Sequence, residues 1–250
     1  MLKCHWKEKK LLFIIYSGFM TKEKAKKEEQ EWDKYWTKRK TKSQKAYRTA
    51  ASFYREKVIK KALNYFIQKE FKAESKLLHA GSGAGQVDRD LVNKFNITAL
   101  DISKEALKLY KGYNGKKAKT MHASIFDIPA KNSTFDGIYN MGVMEHFTKE
   151  EDEKILKELR RVLKPGGKIV LFWPPRFGPT VLFLNTTHFI LNNILRKNIR
   201  LHPQEISLIK SKKQVNKLLK SSGFKMSKFY FGPKDLFTHC IIVATKINER

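Results

Sequence analysis

The stretch from Lys76 to Gly85 reads KLLHAGSGAG, a short apolar run followed by a turn with glycines at alternate positions. Because Gly81, Gly83 and Gly85 lack a Cβ, this turn can take positive φ angles and let a ligand approach its backbone closely. A strand, a glycine turn and a following helix together bind the polar part of a nucleotide-like cofactor in α/β proteins. This stretch constrains the fold more than any other part of the chain.

An acidic residue follows the next apolar run. Asp101 comes directly after residues 97–100, about 20 residues beyond the first glycine of the turn. In α/β cofactor sites, a carboxylate at this distance accepts hydrogen bonds from ribose hydroxyls. We therefore predict that Asp101 binds the ribose of the cofactor.

The spacing of the glycines separates two cofactor classes. A dinucleotide-binding turn requires G-x-G-x-x-G, whereas here the third glycine comes one residue early, at Gly85, and Gln86 holds the last position of that pattern. The spacing therefore disfavours a nicotinamide-dependent oxidoreductase. The G-x-G-x-G pattern resembles the first motif of class I S-adenosylmethionine-dependent methyltransferases. A glycine-rich surface turn without a ligand remains the alternative on this motif alone.

From residue 76 onward, runs typical of strands and helices alternate, which indicates βαβ units and a parallel sheet. A capping box at Thr148 and Glu151 begins one helix, and the Pro-Gly-Gly of residues 165–167 ends it. Ser211 and Gln214 begin another. We predict strands near 76–80, 97–101, 118–123, 135–141, 168–174, 224–231 and 237–246, and helices near 85–94, 103–111, 148–163 and 211–222.

Three further blocks extend the resemblance to the methyltransferase family. Residues 124–129 (SIFDIP) look like the loop after its third strand, residues 135–147 like its fourth-strand block, and residues 161–170 like the segment leading into its fifth strand. The blocks are most similar to the small-molecule branch called methyltransferase type 11. The resemblance implies a Rossmann-like three-layer α/β sandwich with a seven-stranded, mostly parallel sheet and an antiparallel C-terminal strand.

The resemblance also implies S-adenosylmethionine as the cofactor and assigns residues to it. Asp127 is expected at the adenine amino group, and His79 stands where the family usually carries the acid that helps to place the methionine part. A histidine satisfied by its neighbours at a strand end is the simpler interpretation of His79. The expected cofactor-binding residues are Ala80, Gly81, Ser82, Gly83, Gly85, Asp101, Ile102, Phe126, Asp127, Asn140 and Met141.

Methyl transfer from a sulfonium is an in-line displacement that depends mainly on alignment of the two reactants. When the acceptor must lose a proton, a base assists, and His146 is the candidate catalytic residue because histidine titrates near neutral pH. Alternatively, the Glu-His pair at 145–146 begins the next helix and lines the pocket. No metal-ligand pattern is present in the sequence.

The acceptor is expected to be a small, partly apolar molecule. Residues 140–143 lack the Asn-Pro-Pro-Tyr pattern that binds exocyclic amines, and Cys4 and Cys240 do not match the nucleophile of cytosine-C5 enzymes. Residues 175–202 are predicted to form a lid over the acceptor pocket, with plain packing on the sheet as the alternative. The apolar surface and the basic residues of this segment also suit peripheral contact with a membrane. RNA is the second candidate acceptor and DNA is not expected. A catalytically inactive binding module is the remaining alternative.

The chain has 250 residues, a net charge of +28 and a pI of about 10.0. Its lysines are spread throughout, which favours a solvated basic surface over a dedicated RNA-binding face. Residues 1–20 are interpreted as a non-native start before Met20 or a weak anchor, 21–72 as a helical extension, and 73–250 as the methyltransferase domain. Its two cysteines form no disulfide framework, so a cytoplasmic location is expected.

The aromatic residues of the helical extension share a face. Trp32, Tyr35 and Trp36 recur at the i, i+3 and i+4 spacing of a helix. Packing in the core is the simpler interpretation of these side chains, and a cap over the cofactor cleft is the alternative.

Overall fold

The computed structural model describes residues 23, 26–37, 45–116, 118–179, 181, 182, 186, 189, 193, 196 and 205–248. A seven-stranded sheet in the order β3-β2-β1-β4-β5-β7-β6 forms its centre. The first five strands are mutually parallel, and β7 runs antiparallel to both β5 and β6. The predicted Rossmann-like sheet with an antiparallel C-terminal hairpin is confirmed.

The strands lie close to the predicted positions. They are β1 (Lys76–Ala80), β2 (Asn96–Asp101), β3 (Lys119–His122), β4 (Phe135–Met141), β5 (Leu163–Trp173), β6 (Phe224–Tyr230) and β7 (Cys240–Lys246). The order reverses between β1 and β4, since β2 and β3 lie on one side of β1 and β4 and β5 on the other. Ligands in open α/β sheets bind beside the carboxyl ends of the strands at such a switch point.

Six α-helices can be given bounds in the described part of the chain, and residues 179, 181, 182, 186 and 189 are helical as well. The six are α1 (residues 26–37), α2 (Lys45–Tyr54), α3 (Lys60–Glu70), α4 (Lys104–Asn114), α5 (Lys149–Val162) and α6 (Lys212–Ser221). A π-helical turn, Arg55–Ile59, joins α2 to α3. None of these helices is long and apolar enough to span a membrane.

Side-chain caps explain where two of the helices begin. Thr148 accepts a hydrogen bond from the backbone N–H of Glu151, and the Glu151 carboxylate accepts one from the N–H of Thr148, so both halves of the predicted capping box form. Ser211 accepts a bond from the N–H of Gln214 at the start of α6. Each such cap satisfies backbone donors that the first turn of a helix leaves unpaired.

Two hydrophobic clusters cover the two faces of the sheet. Alternate residues of β1 face opposite sides, so Leu78 packs in one cluster and Leu77 in the other. The first cluster includes apolar side chains of α5 and α6, and the second includes those of α3 and of the segment after the glycine turn. These are the three layers that the resemblance predicted.

The predicted helix at 85–94 is wrong. Only Gln86–Asp88 form a short 3-10 turn, and the chain then continues through further turns to residue 95. The backbone bonds here alternate between i+3 and i+4 partners, as in Leu91 and Val92, which both donate to the carbonyl of Asp88. Asp88 is fully buried and its side chain bonds to neighbouring elements, so this segment follows those contacts and not a helical period.

Candidate functional site

A cavity of about 410 Å³ opens at the carboxyl ends of β1, β2 and β4. The glycine turn after β1 forms one wall, and residues following β2, β3 and β4 form the rest of its floor. Side chains of α1 line it as well. The cavity lies where the order of the strands reverses, which is the expected position of a cofactor in this architecture.

The glycine turn adopts a conformation that other residues would strain. Gly81, Gly83 and Gly85 have φ angles of 74°, 53° and 60°. A Cβ on Gly81 would lie 2.5 Å from Val143 Cγ2, and one on Gly85 would lie 2.1 Å from the Tyr110 ring. Glycine is therefore required here both for the left-handed backbone and for close packing against neighbouring elements. The result is a wall of bare backbone beside the cavity.

Asp101 holds the glycine turn in place from the end of β2. Its Oδ2 accepts a hydrogen bond from the N–H of Gly83 at 2.7 Å, and its Oδ1 accepts one from the N–H of Ser103 at 2.8 Å. Burial raises the pKa of Asp101, while these two N–H donors act in the opposite direction. Each carboxylate oxygen keeps further acceptor capacity, so Asp101 can brace the turn and accept bonds from a ligand at the same time.

Helix α1 covers the cavity. Trp32, Tyr35 and Trp36 all line it, and the Trp36 ring lies so close to Gly83 that an added Cβ would be 2.8 Å from it. Asp33 of the same helix accepts hydrogen bonds from Ser103 Oγ and from the N–H of Glu105. The structure therefore places the aromatic face over the cleft. These side chains line the cavity and do not pack in the core, which was the simpler interpretation of their spacing.

His146 lies in a 3-10 turn, Met144–His146, on the cavity wall. The edge of its ring meets Trp32, with ring centroids 5.2 Å apart. Its Nε2 is 3.9 Å from Glu145 Oε1, which brings the imidazole and a carboxyl together without a hydrogen bond between these two atoms. Burial raises the pKa of Glu145 to about 8, so this carboxyl is largely protonated at neutral pH.

Residues 205–209 hold this turn from outside the cavity. The carbonyl of Glu145 accepts hydrogen bonds from the N–H groups of Ile206 and Ser207 at 2.5 and 3.1 Å. Ser207 Oγ lies within hydrogen-bond distance of the carbonyl of Met144 and of Asp152 Oδ2, at 2.9 and 3.0 Å. The position of His146 therefore depends on the chain segment that precedes α6.

His79 is the penultimate residue of β1 and belongs to a buried polar cluster. Its Nδ1 is 2.7 Å from Asp88 Oδ2, and the Tyr110 hydroxyl donates to the same oxygen at 2.8 Å. The ring stacks on Tyr139, its register partner on β4, with centroids 4.3 Å apart. His79 also lines the cavity.

Comparison with known proteins identifies this arrangement. Residues 78–171 match a family model described as a methyltransferase domain. This part of the chain is therefore similar to the methyltransferase domain of that family. The matched segment begins in β1 and ends in β5, so it contains the glycine turn, Asp101 and His146.

Two curated relatives resemble this chain in sequence. An uncharacterized protein of Methanocaldococcus jannaschii is 35% identical over 102 residues, which are 41% of this chain and 42% of the relative. A ubiquinone/menaquinone biosynthesis C-methyltransferase of Geotalea daltonii is 30% identical over 139 residues, which are 50% of this chain and 56% of the relative. The matched parts thus span about half the length of these relatives.

A solved structure shares the fold of this chain. It is a 1,6-didemethyltoxoflavin-N1-methyltransferase of Burkholderia thailandensis, with bound 1,6-didemethyltoxoflavin and S-adenosylhomocysteine. The superposition has a TM-score of 0.59 at 16% identity, and it covers 82% of this chain and 85% of the other. At this identity the likeness concerns the architecture of the chain.

The residues around the cavity fit S-adenosylmethionine. The glycine turn brings backbone that carries little side chain to the cavity wall, and Asp101 offers acceptor oxygens suited to ribose hydroxyls. Ile102 and Phe126 add apolar surface on the same wall, as the flat face of an adenine requires. The polar and apolar parts of the cavity therefore match the two kinds of surface that an adenosyl group presents.

Most of the predicted site residues meet at this cavity. Asp127 is exposed, whereas Ala80 and Asn140 are buried within strands, and none of the three lines the cavity. The residues that do line it are Gly81, Ser82, Gly83, Gly85, Asp101, Ile102, Phe126, Met141 and His146.

Several cavity residues escaped the sequence analysis. Ser124 and Ile125 line the cavity directly after β3, ahead of Asp127 in the same loop. Thr238 and His239 reach it from the turn before β7. The position of Ser124 directly after a predicted strand is a signal that could have found it, because cofactor contacts come from strand ends in this fold. No local signal in the sequence marks Thr238 or His239.

Proposed function

We propose that this protein transfers a methyl group from S-adenosylmethionine to a small, partly apolar acceptor. The observation that carries the proposal is the composition of one cavity. The glycine turn and Asp101 line this cavity, and so do several aromatic residues and His146. A site for the polar cofactor and a site for an apolar molecule therefore adjoin within about 410 Å³.

Each wall has its own role in this proposal. The glycine turn and Asp101 hold the ribose and the polar chain of the cofactor, and the loop at 124–126 meets its adenine. The cofactor supplies an activated methyl group on a sulfonium. The aromatic side chains of Trp32, Tyr35 and Phe147 exclude water from the cavity. They also align the acceptor with the methyl group, and this alignment is the main requirement of a displacement at carbon.

His146 is the proposed base. A ring nitrogen of His146 would take the proton that the acceptor atom loses on methylation. Because burial holds Glu145 protonated at neutral pH, that carboxyl adds no full negative charge beside the imidazole. The neutral imidazole is the form that can accept a proton.

An apolar acceptor is favoured by the aromatic surface of α1 and by one relative. The Geotalea daltonii protein is named as a C-methyltransferase of ubiquinone/menaquinone biosynthesis. The likeness supports an acceptor with a sizeable apolar part. The predicted lid at 175–202 would add to the apolar surface, but residues 180, 183–185, 187, 188, 190–192, 194, 195 and 197–202 lie outside the described residues.

RNA is the second candidate acceptor because the net charge is +28. A strongly basic chain attracts polyanions irrespective of their sequence. However, α1 covers the cavity, which suits a small molecule better than a polymer.

A labelling experiment tests the proposal. The protein is incubated with cell extract and cofactor carrying a labelled methyl group, and the products are then treated separately with ribonuclease, protease and organic solvent. We expect the label in the solvent-extractable fraction. Release by ribonuclease would favour RNA, and no transfer to any fraction, despite cofactor binding, would indicate the inactive binding module.

A further inference from the structure

Large apolar side chains are exposed on two neighbouring segments, residues 174–179 after β5 and residues 231–239 before β7. The apolar patch on these segments consists of Phe177, Phe231, Leu236 and Phe237. Phe177 is 45% exposed, Leu236 53% and Phe237 38%. Phe231 packs against the core, and its ring centroid lies 5.3 Å from those of both Phe177 and Phe237. Contiguous exposed apolar surface of this kind marks a site of contact with a partner or a membrane.

The turn that carries half of the patch has an unfavourable backbone conformation. Leu236 and Phe237 have φ angles of 54° and 58°, in the left-handed region that large side chains rarely adopt. The N–H of Leu236 donates to the carbonyl of Pro233 at 3.1 Å, and that of Phe237 donates to the carbonyl of Gly232 at 3.0 Å. Glycine or asparagine would take this conformation at less cost and would expose no apolar side chain. Strain and apolar exposure therefore coincide at this turn, and strained backbone is concentrated at functional sites.

Positive charge flanks the apolar patch. On its two segments the exposed charged side chains are Arg176 and Lys234, whereas Asp235 is fully buried. Lys234 Nζ lies 3.9 Å from the centre of the exposed Tyr65 ring on α3, and Lys69 Nζ lies 5.6 Å from the same centre. Cations and an amphipathic tyrosine around apolar side chains fit the headgroup region of a bilayer that contains anionic lipids.

The patch adjoins the candidate functional site. Thr238 and His239 directly follow Phe237, and both line the cavity. The Tyr54 hydroxyl donates to the carbonyl of Asp235 at 2.9 Å, and Tyr54 lines the cavity as well. The four patch residues themselves do not line it. An apolar molecule held in a bilayer beneath the patch would therefore lie next to the cavity.

From these contacts we infer that the apolar patch docks this protein on an anionic lipid bilayer. The net charge of +28 attracts the chain to the negative surface of such a bilayer, and the apolar patch can then insert below the headgroups. A second copy of the chain would bring the same cations to the interface, which disfavours self-association through the patch. Docking does not depend on the function proposed above, whereas the passage of an apolar acceptor from the bilayer into the cavity rests on it.

Vesicle flotation tests the docking. The full chain, without cofactor, is mixed with vesicles of phosphatidylcholine alone or of equal parts phosphatidylcholine and phosphatidylglycerol. We expect binding to the mixed vesicles to be roughly tenfold tighter or more, and to weaken as salt is added. No binding to the mixed vesicles, or equal binding to both kinds, would overturn the inference.

A substitution in the strained turn tests the apolar part of the contact. Leu236→Asn removes an exposed apolar side chain, and asparagine tolerates the left-handed conformation, so the melting temperature should be kept. We expect binding to the mixed vesicles to weaken roughly three- to tenfold, and further when Phe177→Ser is added. Ile247→Asn is the matched control, because Ile247 is also exposed but follows the opposite end of β7. Equal losses from Leu236→Asn and Ile247→Asn would contradict docking through the patch.

A charge reversal tests the electrostatic part. Lys234→Glu should weaken binding to the mixed vesicles roughly tenfold. Lys108→Glu makes the same change on α4, beside β2 and β3 at the other edge of the sheet, and should have a smaller effect. Equal losses from the two would show that net charge alone binds the vesicles and would overturn the inference. A dimer in light scattering without lipid, dissociated by Leu236→Asn, would assign the patch to a second copy instead.

Docking and the proposed function can fail separately. The patch variants should bind S-adenosylhomocysteine with wild-type affinity, because their side chains do not line the cavity. Vesicle binding by a protein that binds no S-adenosylhomocysteine would contradict the proposed function and leave the docking surface in place. Methyl transfer by a protein that binds neither kind of vesicle would overturn the docking surface alone.

Discussion

The carboxylate of Asp33 lies 2.5 Å from Ser103 Oγ, and this contact ties α1 to the site beneath it. Ser103 is also the N-cap of α4 and donates its backbone N–H to Asp101. A single residue thus joins the helix over the cavity to the carboxylate proposed for the ribose. Helix α1 is thus connected to the proposed cofactor site by two hydrogen bonds, from Ser103 Oγ to Asp33 and from the Ser103 N–H to Asp101.

Asp33→Ala should therefore loosen α1 over the cavity. We expect the affinity for S-adenosylhomocysteine to fall roughly five- to tenfold, as for loss of about 1 kcal/mol of partly exposed hydrogen bonding. Calorimetry measures the affinity, and the fluorescence of Trp32 and Trp36 reports on the cover directly. Glu31→Ala, an exposed acid on the same helix, is the matched control. Equal effects of both substitutions would indicate that the loss of a negative charge on α1, and not the loss of the contact with Ser103, lowers the affinity.

Asp101 should be the residue most important for cofactor affinity. Hydrogen bonds to a carboxylate contribute about 1.5–3 kcal/mol each, so Asp101→Ala should weaken binding of the cofactor by one to two orders of magnitude, roughly. The substitution also removes the brace on Gly83, so melting is measured beside calorimetry. A folded variant with wild-type affinity would contradict the ribose assignment.

The loop after β3 offers two candidates for the adenine end. The resemblance assigns Asp127, but Ser124 is the polar side chain of this loop that lines the cavity. From the geometry we expect Ser124→Ala to reduce cofactor affinity several-fold, and more than Asp127→Ala does. Calorimetry of both variants decides the matter, and a larger loss with Asp127→Ala would support the original assignment.

Asp136 is expected to stabilise the fold and not to bind the cofactor. It opens β4, accepts a hydrogen bond from the N–H of Lys76 at 2.7 Å and pairs with Lys164 Nζ at 2.6 Å. Asp136→Ala should lower the melting temperature by a few degrees, in line with about 1 kcal/mol in a chain of this size, at unchanged cofactor affinity. Lost affinity at an unchanged melting temperature would contradict this role.

Local patterns predicted the sheet well because each strand is short, apolar and bounded by turn residues. Residues 76–80 and 135–141 were predicted at their observed bounds. The segment after Gly85 was predicted as a helix because its residues are compatible with one. Its conformation is instead set by hydrogen bonds of the Asp88 side chain to His79 in β1 and Tyr110 in α4. The periodicity of apolar residues within a segment does not reveal such long-range contacts.

The cover over the cavity shows a second limit of sequence reasoning. The spacing of Trp32, Tyr35 and Trp36 establishes that they share a helix face, but an apolar face looks the same whether it meets a core or a ligand cavity. Only the docking of α1 through Asp33 places that face over the glycine turn. The glycine turn itself was predictable because its backbone conformation requires glycine.

The stability of the protein should fall as pH rises from about 4.5 to about 8. Burial raises the pKa of both Glu145 and Asp152 to about 8, well above the values of 4.5 and 3.8 that exposed side chains have. In this window the folded state holds protons that the unfolded state has released, so the free energy of unfolding falls with pH. One such proton changes it by about 1.4 kcal/mol per pH unit.

Thermal melting in matched buffers at pH 5.5, 6.5 and 7.5 measures this effect. Glu145→Gln and Asp152→Asn each remove one titrating carboxyl, so each variant should show a shallower decrease than the wild type and a gain in relative stability at pH 7.5. Glu153→Gln is the control, because this glutamate lies on the surface and pairs with Lys157, so it should keep the wild-type slope. Parallel curves for wild type and the two buried variants would show that these carboxyls do not hold their protons in the folded state. That result would also remove the reason for treating Glu145 as neutral beside His146.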